Sequence, residues 1–212
     1  MIPFTKMHGT GNDYIYVNAI DYPVADPEKL SIAMSDRHFG IGSDGLILIL
    51  PSVVGDYRMR MFNSDGSESE MCGNGIRCFA KYLYDHHLTE KSIISIETGA
   101  GVKRISLTIQ DRKAVSARVD MGTPEFERGK IPMKGNPGRV LNEEVKLADG
   151  TTVILSAVSM GNPHAVVFVD DVKKYPVEKI GPMIENSPFF PRRTNVEFVT
   201  VVSPREVIQR TW

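Results

Sequence analysis

The chain has 212 residues, 42% of them hydrophobic, which is enough for one large domain or two small ones with proper cores. Its 25 basic and 26 acidic side chains leave a formal net charge of -1, so a nucleic acid or an acidic membrane surface is a poor candidate partner. The sequence shows no secretory leader pattern and no apolar run long enough to span a membrane. Its two cysteines are badly placed to form a disulfide, which is typical of a reducing compartment, so we expect a cytosolic protein.

The first elements of the chain are predicted to be two strands and a helix. Strands are expected over residues 4–7 and 14–17, because the Gly-Thr-Gly-Asn-Asp run between them is typical of a turn. Asp26 followed by Pro27 predicts the N-terminus of a helix, and apolar side chains at helical spacing continue that helix to about His38.

A glycine-rich run at residues 40–45 formally matches the dinucleotide-binding fingerprint. That fingerprint needs a strand before it and a helix that opens at the glycines. Here a helix precedes the run, and residues 46–50 are predicted to be a buried strand, so the match is rejected. Residues 57–61 alternate between apolar and polar side chains, which predicts a further strand with one buried face.

The run EMCGNGIRC at residues 70–78 opens the predicted helix that carries most of the chemistry. Apolar side chains recur at helical spacing from Ile76 to Leu83, so the helix begins at or just after the Gly-Asn-Gly turn. A thiol at Cys72 feels the positive end of the helix dipole and unpaired N–H groups, which favour the thiolate and can also hold a carboxylate. Cys72 is therefore a candidate nucleophile or base, whereas Cys78 lies on another helix face and is expected to be structural.

The rest of the chain is predicted to contain many short strands and one further helix, over residues 176–184. The strands are expected over residues 93–96, 105–109, 115–121, 143–147, 152–158, 165–169, 194–202 and 207–212. A break near residues 110–125 divides the chain into an N-terminal domain, residues 1–115, and a C-terminal domain, residues 116–212.

The two halves share a weak internal repeat. Gly11-Asn12 leads into an apolar strand in the first half, and Gly161-Asn162 does so in the second. If each half is a curved antiparallel sheet around a central helix, the sequence after Asn162 holds no counterpart of the Cys72 helix. We then expect several large side chains of the second half to be exposed, at about 1.5–3 kcal/mol each, and that half to be unstable alone.

Five motifs resemble those of a known family. They are residues 6–14 (KMHGTGNDY), 37–42 (RHFGIG), 62–68 (FNSDGSE), 72–78 (CGNGIRC) and 160–164 (MGNPH). In this order and spacing they are similar to the diaminopimelate epimerases over essentially the whole chain. The resemblance implies a cofactor-independent isomerase of lysine and cell-wall precursor synthesis. It also implies a mixed α/β (α+β) fold of two pseudo-symmetric domains that face each other across a cleft. Each domain would be a curved, mainly antiparallel sheet around a central helix, and the second domain would be truncated here.

The resemblance also implies roles for individual residues. Cys72 would be one of two cysteine acid/bases, and Gly73 with Asn74 would hold the substrate α-carboxylate at the helix N-terminus. His164 would lie behind the cysteines and tune their protonation. Where some members carry a substrate-contacting Gln, this chain has Gly45. The substrate's other polar groups would be contacted by four asparagines, Asn12, Asn63, Asn162 and Asn195.

Inversion of an α-carbon needs one group that removes its proton from one face and another that returns a proton to the opposite face. The site must also stabilise the developing carbanion, with N–H donors in a dry cleft. In the family the second cysteine follows on its own glycine-rich helix, which these 212 residues do not contain. We therefore expect the full-length parent to interconvert LL- and meso-diaminopimelate, and the present chain not to. The implied partner is this amino acid, with no cofactor, metal, nucleic acid or membrane, and a homodimer is allowed.

Three other interpretations stay open. A proline racemase-like or hydroxyproline dehydratase-like enzyme would also place a cysteine at a helix N-terminus, although Asn74 and residues 11–13 favour the diaminopimelate branch. A thiol hydrolase would need a histidine base beside Cys72, for which the spacing gives no signal. In the third interpretation the chain is a binding-only remnant of an enzyme, which would bind its ligand without turnover.

Overall fold

The computed structural model describes residues 2–212 and divides the chain into two compact units, Met1–Met121 and Gly122–Trp212. Each unit is built on one sheet of mainly antiparallel strands with few helices, so the predicted mixed α/β class is confirmed. The domain boundary expected between residues 115 and 116 falls inside a strand, and the units divide after that strand has ended. None of the helices in residues 2–212 is long and apolar enough to cross a membrane.

The first unit contains one eight-stranded sheet. Its strands are β1 (Thr5–Gly9), β2 (Asn12–Asn18), β3 (Gly45–Leu50), β4 (Tyr57–Asn63), β5 (Glu68–Ser69), β6 (Ile93–Thr98), β7 (Gly101–Gln110) and β8 (Lys113–Val119). They are ordered β1-β2-β3-β4-β6-β7-β8, with β5 paired to β4. Only the β2–β3 and β4–β6 pairs of these described strands are parallel.

Helix α2 (Gly73–Asp85) fills the inner side of the first sheet. It packs against β1, β2 and β3 near one edge and against β7 and β8 at the other, so the sheet must curl around it. Its apolar stripe, Ile76, Phe79, Ala80 and Leu83, is fully buried. Burial of each large side chain of this stripe stabilises the fold by about 1.5–3 kcal/mol, which makes α2 the centre of the unit's core.

Helix α1 (Pro27–Ser35) packs on the opposite side of the same sheet, over the alternate side chains of β2, β3 and β4. As predicted, Asp26 is its N-cap and accepts a hydrogen bond from the backbone N–H of Lys29 at 3.1 Å. The helix ends before the predicted residue 38, because Asp36 leaves the helical conformation. The Asp36 carboxylate instead accepts the backbone N–H groups two and three residues further on, at 2.7 and 2.8 Å.

The second unit contains a five-stranded sheet in the order β13-β12-β11-β10-β9, in which β11 and β12 are parallel. Its elements are a short 3-10 helix (Arg128–Lys130), β9 (Glu143–Lys146), β10 (Thr152–Ser159), β11 (Pro163–Phe168), α3 (Val177–Glu185), β12 (Asn195–Ser203) and β13 (Glu206–Thr211). Helix α3 buries Ile180 and Ile184 in the same core as Val196 and Phe198 of β12. One face of the second sheet is thereby covered.

The face of the second sheet that points away from α3 carries exposed apolar side chains. Strand alternation places four of them there, each more than half exposed: Ile154, Phe168, Val201 and Val207. Burial of such a side chain is worth about 1.5–3 kcal/mol. The second sheet therefore holds less of its apolar surface in a core than the first, which lies between α1 and α2.

Substitution of Phe79 tests whether α2 is the centre of the first core. Phe79→Ala is expected to lower the free energy of unfolding by about 3–5 kcal/mol, because it removes a ring that is 0% exposed and leaves a cavity. The matched control Phe39→Ala removes a ring that is 96% exposed and should change this free energy by less than about 0.5 kcal/mol. Urea titration followed by circular dichroism measures both, and equal effects would contradict the assignment.

Candidate active site

Cys72 is the N-cap residue of α2, with extended backbone angles φ -136° and ψ 118°. The backbone N–H of Gly75 donates to its Sγ at 3.3 Å, and Nδ2 of Asn12 donates to the same atom at 3.6 Å. The sulfur is partly buried. Two N–H donors and the positive end of the helix dipole therefore face this sulfur, an arrangement that stabilises negative charge there. The structure thus places Cys72 at the predicted helix N-terminus.

The Gly-Asn-Gly run forms the first turn of α2 rather than a turn before it. A Cβ at Gly75 would lie 2.8 Å from Cδ1 of Ile47, so the first turn of α2 packs directly on the end of this side chain of β3. A Cβ at Gly73 would meet only the side chain of Met121, at 3.8 Å or more. The approach to the backbone over Gly73 is therefore open, while the first N–H groups of the helix lack partners within it.

The hairpin between β1 and β2 brings Asn12 to this helix end. Thr10 and Gly11 both have positive φ, 58° and 88°, as a two-residue hairpin loop requires, so the turn is tighter than the one predicted. A Cβ at Gly9 would lie 3.1 Å from the backbone oxygen of Asn74, so the hairpin lies directly against the first turn of α2. This close approach positions Asn12 beside the cysteine sulfur.

The side chain of Asn74 is held by the helix that it opens. Its Oδ1 accepts a hydrogen bond from Arg77, and the same guanidinium nitrogen of Arg77 donates to Oγ1 of Thr10 at 3.4 Å. Arg77 therefore ties the helix N-terminus to the hairpin loop. The group that Asn74 can offer to an anion is its backbone N–H.

An ion-pair network fixes the hairpin from its other side. Asp13 pairs with Lys6 at 3.1 Å and with Arg37 at 2.8 Å, and Arg37 also reaches Asp44 at 2.8 Å. The hydrogen bond from Arg37 is the largest cause that holds the pKa of the Asp13 carboxyl well below its usual range. These four side chains border a cavity of about 580 Å³. Each exposed ion pair stabilises a fold by at most about 1 kcal/mol, so the main contribution of this network is to hold the hairpin in position.

Tyr14 is a site residue that the sequence analysis missed. It is 5% exposed and lies two residues after Asn12 on β2, so both side chains face α2. Burial, and then the nearby sulfur of Cys72, raise the pKa of the Tyr14 hydroxyl above its usual value. The period-2 alternation of β2 was a signal that could have found it.

Gly45 lies between Tyr14 and Asn63 in one cross-strand row. A Cβ at Gly45 would lie 2.0 Å from the backbone oxygen of Phe62 and 3.0 Å from Cε1 of Tyr14. No side chain fits at Gly45 without a backbone shift, so no side chain at this position of β3 is available to contact a ligand. The side chain of Asn63 donates to Oγ of Ser67 at 3.0 Å and thus lies in the turn between β4 and β5.

A second cluster of predicted residues lies at the start of β11 and β12 in the second unit. Nδ1 of His164 is 2.8 Å from Oε1 of Glu197, and Nε2 of His164 is 3.0 Å from Oδ1 of Asn162. Asn195 is the neighbour of His164 across the two strands, and its Nδ2 donates to the backbone oxygen of Pro163 at 3.1 Å. The structure therefore brings Asn162, His164 and Asn195 together, and adds Glu197, which the sequence analysis did not single out.

Cys78 is 8% exposed and packs in the core around α2, as predicted. Burial raises the pKa of the Cys78 thiol. Both cysteines are free thiols. In residues 2–212 no group of three or more His, Cys, Asp or Glu side chains could hold a metal ion.

Alkylation rates test the difference between the two thiols. In the folded protein at pH 8 we expect iodoacetamide to modify Cys72 at least about tenfold faster than Cys78, because Cys72 is accessible and faces N–H donors whereas Cys78 is buried. Mass spectrometry of the peptides follows both sites. In urea, where neither environment persists, the two rates should become similar. Equal rates in the folded state would contradict the proposed environment of Cys72.

Comparison with known proteins gives the same family as the motifs. A family model described as Diaminopimelate epimerase matches residues 4–127 and 156–212. The diaminopimelate epimerase of Agathobacter rectalis is 53% identical over 215 residues, which cover 99% of this chain and 75% of that protein. That of Methanococcus maripaludis is 53% identical over 209 residues, with the same coverage of 99% and 75%.

Solved structures with the same fold are more distant in sequence. A probable proline racemase from Agrobacterium radiobacter has a TM-score of 0.68 at 15% identity, covering 100% of this chain and 70% of its own. A hydroxyproline epimerase from Agrobacterium vitis has a TM-score of 0.69 at 16% identity, covering 98% and 68%. At such identities these matches establish the fold alone.

Proposed function

The chain belongs to the diaminopimelate epimerase family, a family of isomerases, and on this premise we propose that Cys72 exchanges the α-proton of diaminopimelate without a cofactor. The observation that carries the proposal is the position of the Cys72 sulfur. It caps α2 and accepts N–H donors from Gly75 and Asn12. A base and an anion-binding helix end are thus combined in one turn.

The substrate α-carboxylate binds at the first turn of α2. The backbone N–H groups of Gly73 and Asn74 donate to it, and the absence of a side chain at Gly73 leaves room for the approach. The helix dipole favours the same negative charge. This placement brings the α-carbon of the amino acid next to the sulfur of Cys72.

The proton transfer then takes place between the α-carbon and this sulfur. The thiolate of Cys72 takes the α-proton, so an S–H bond forms while the C–H bond breaks and its electron pair stays on the carbon. The carboxylate shares this charge, and the N–H donors at the helix end stabilise it more strongly than the neutral substrate. Return of a proton from the same thiol restores the original configuration.

The asparagines bind the remaining polar groups of the substrate. Neutral amides suit a zwitterion, because they supply donors and acceptors without bringing a further unpaired charge into the site. We assign this role to Asn12 and Asn63 of the first unit and to Asn162 and Asn195 of the second. His164 tunes the protonation of the acid/base group, and its ring nitrogens are both held by hydrogen-bonding partners, which supports a defined position.

Inversion requires a second acid/base on the opposite face of the α-carbon. The only other thiol of the 212 residues is Cys78, and it is buried in the core. We therefore propose that a polypeptide of these residues exchanges the α-proton with solvent without inverting the carbon. Interconversion of LL- and meso-diaminopimelate is then the activity of a family member that carries a second accessible thiol.

The proposed location is the cytosol. Cys72 and Cys78 are both unpaired. Free thiols persist in the reducing cytosol, and a catalytic thiolate needs such an environment.

The experiment is incubation of the purified chain with LL- or meso-diaminopimelate in deuterated water. We expect deuterium to enter the α-position with retention of configuration, because one thiol serves one face. NMR spectroscopy measures the exchange, and chiral chromatography measures inversion. Cys72→Ser should slow the exchange by about 10²–10⁴-fold, the usual contribution of a general acid/base, whereas the control Cys78→Ser should not slow it.

Each of the other outcomes would contradict a different part of the proposal. Inversion with full deuterium incorporation would mean that another group of the chain serves as the second acid/base. Unchanged exchange in Cys72→Ser would remove this residue from the chemistry. Binding without any exchange would favour a binding protein over an enzyme.

A further inference from the structure

The active-site cluster of the first unit contains a buried hydroxyl group to which the proposed function assigns no role. Tyr14 is 5% exposed and lies on the face of β2 that packs against α2, in the same cluster as Cys72. The hydroxyl of a buried tyrosine needs a hydrogen-bond partner, because an unpaired polar group in a core costs free energy. The hydroxyl of Tyr14 must therefore interact with a polar group of the site.

Gly45 provides the space that the ring of Tyr14 occupies. The two residues are direct neighbours on the parallel strands β2 and β3, and a Cβ at Gly45 would lie 3.0 Å from Cε1 of Tyr14. That distance is shorter than an ordinary contact between carbon atoms, so the ring already fills the place of a side chain at this position. On its other side Tyr14 pairs with Met7 of β1. Neighbours on two strands therefore hold the ring and fix the direction of its hydroxyl.

The hydroxyl of Tyr14 lies beside the sulfur of Cys72. This sulfur and the side chain of Asn12 are both within hydrogen-bonding reach of the hydroxyl. Nδ2 of Asn12 donates to the same sulfur at 3.6 Å, so the part of the amide that faces the sulfur is a donor. The sulfur is then the acceptor for the hydroxyl proton. Three donors thus surround it: the backbone N–H of Gly75, the amide of Asn12 and the hydroxyl of Tyr14.

The hydroxyl of Tyr14 remains a donor while the sulfur gains or loses a proton. Burial, and then the nearby sulfur of Cys72, raise the pKa of this hydroxyl above its usual value of about 10. The hydroxyl therefore stays protonated near neutral pH. A group that keeps its proton does not act as a further base, so its effect is to direct and stabilise the sulfur.

We propose that Tyr14 is a positioning residue whose hydroxyl holds the sulfur of Cys72 in the orientation that reaches the α-carbon. The side chain of a cysteine rotates about its Cα–Cβ bond, and a donor on a fixed ring selects one of the rotamers. The same hydrogen bond stabilises the negative charge of the thiolate. This inference rests on the proposed function, in which Cys72 is the acid/base, and Tyr14 acts on the sulfur rather than on the substrate.

The first test is the exchange kinetics of Tyr14→Phe, which removes the hydroxyl and keeps the ring. NMR of meso-diaminopimelate in deuterated water, over a range of substrate concentrations, gives the maximal rate of α-proton exchange and KM. Tyr14→Phe should lower the maximal rate about 10- to 100-fold, the loss expected for one hydrogen bond to a charged group. It should change KM by less than about threefold, because the carboxylate site at the helix N-terminus is intact.

Tyr57→Phe is the matched control for this substitution. It removes a hydroxyl that packs against the same core but donates to the backbone oxygen of Leu88, beyond the C-terminal end of α2. Both kinetic constants should stay within about twofold of those of the unmodified chain. A maximal rate that is unchanged in Tyr14→Phe, or a rise in KM in place of a lower rate, would overturn the proposal.

Proton NMR of the unliganded chain in water tests the hydrogen bond itself. A buried hydroxyl proton that is held by the sulfur should exchange slowly with water and give a resolved signal, which Tyr14→Phe identifies by its loss. Cys72→Ala removes the acceptor and should shift or abolish this signal. The control Cys78→Ala removes the other thiol and should leave the signal in place. An absent signal in the unmodified chain, or one that Cys72→Ala leaves unchanged, would overturn the proposal.

The two measurements separate this inference from the proposed function. If the unmodified chain does not exchange the α-proton of diaminopimelate, the proposed function fails, while the hydroxyl signal still tests the contact between Tyr14 and Cys72. If the unmodified chain exchanges this proton and Tyr14→Phe does so equally fast, the positioning role fails and the function stands. Should circular dichroism show that Tyr14→Phe does not fold, the effect of Cys72→Ala on the hydroxyl signal decides the proposal.

Discussion

The contact between the first turn of α2 and the curled sheet around it is the constraint on which the site depends. The β1–β2 hairpin approaches the first turn of α2 so closely that a Cβ at Gly9 would lie 3.1 Å from the backbone oxygen of Asn74, and Gly75 of the same turn packs on the side chain of Ile47. Burial of the apolar stripe of α2 supplies the free energy that maintains these approaches. The sulfur of Cys72 is therefore held by packing, and its two N–H donors are in place before any ligand binds.

Charge is distributed around this site in a way that suits its chemistry. On the other side of the hairpin, Asp13 pairs with Lys6 and Arg37. The groups that face the sulfur are a backbone N–H and the amide of Asn12, which are neutral donors. In a partly buried site such donors favour a negative sulfur or a carboxylate. The cluster of the second unit likewise contains neutral amides, those of Asn162 and Asn195, close to His164.

Local sequence patterns predicted the helices and strands that carry the site, whereas contacts between distant residues determined which side chains meet there. Capping residues and apolar spacing predicted that α1 starts at Asp26 and that Cys72 lies at the N-terminus of α2. They did not predict the end of α1, because the Asp36 side chain offers the backbone an alternative to the helix. The alternation of β2 could have placed Tyr14 on the same face as Asn12, but its closeness to Cys72, and the contact of Glu197 with His164, depend on partners about 60 and 30 residues away in the chain.

The most direct test of the central claim is a crystal structure of the chain with meso-diaminopimelate bound. The α-carbon should lie within about 3.5 Å of the Cys72 sulfur, as a reactive approach requires, with its carboxylate on the backbone N–H groups of Gly73 and Asn74. A substrate bound away from the N-terminus of α2, or a sulfur turned from the α-carbon into the core, would contradict it.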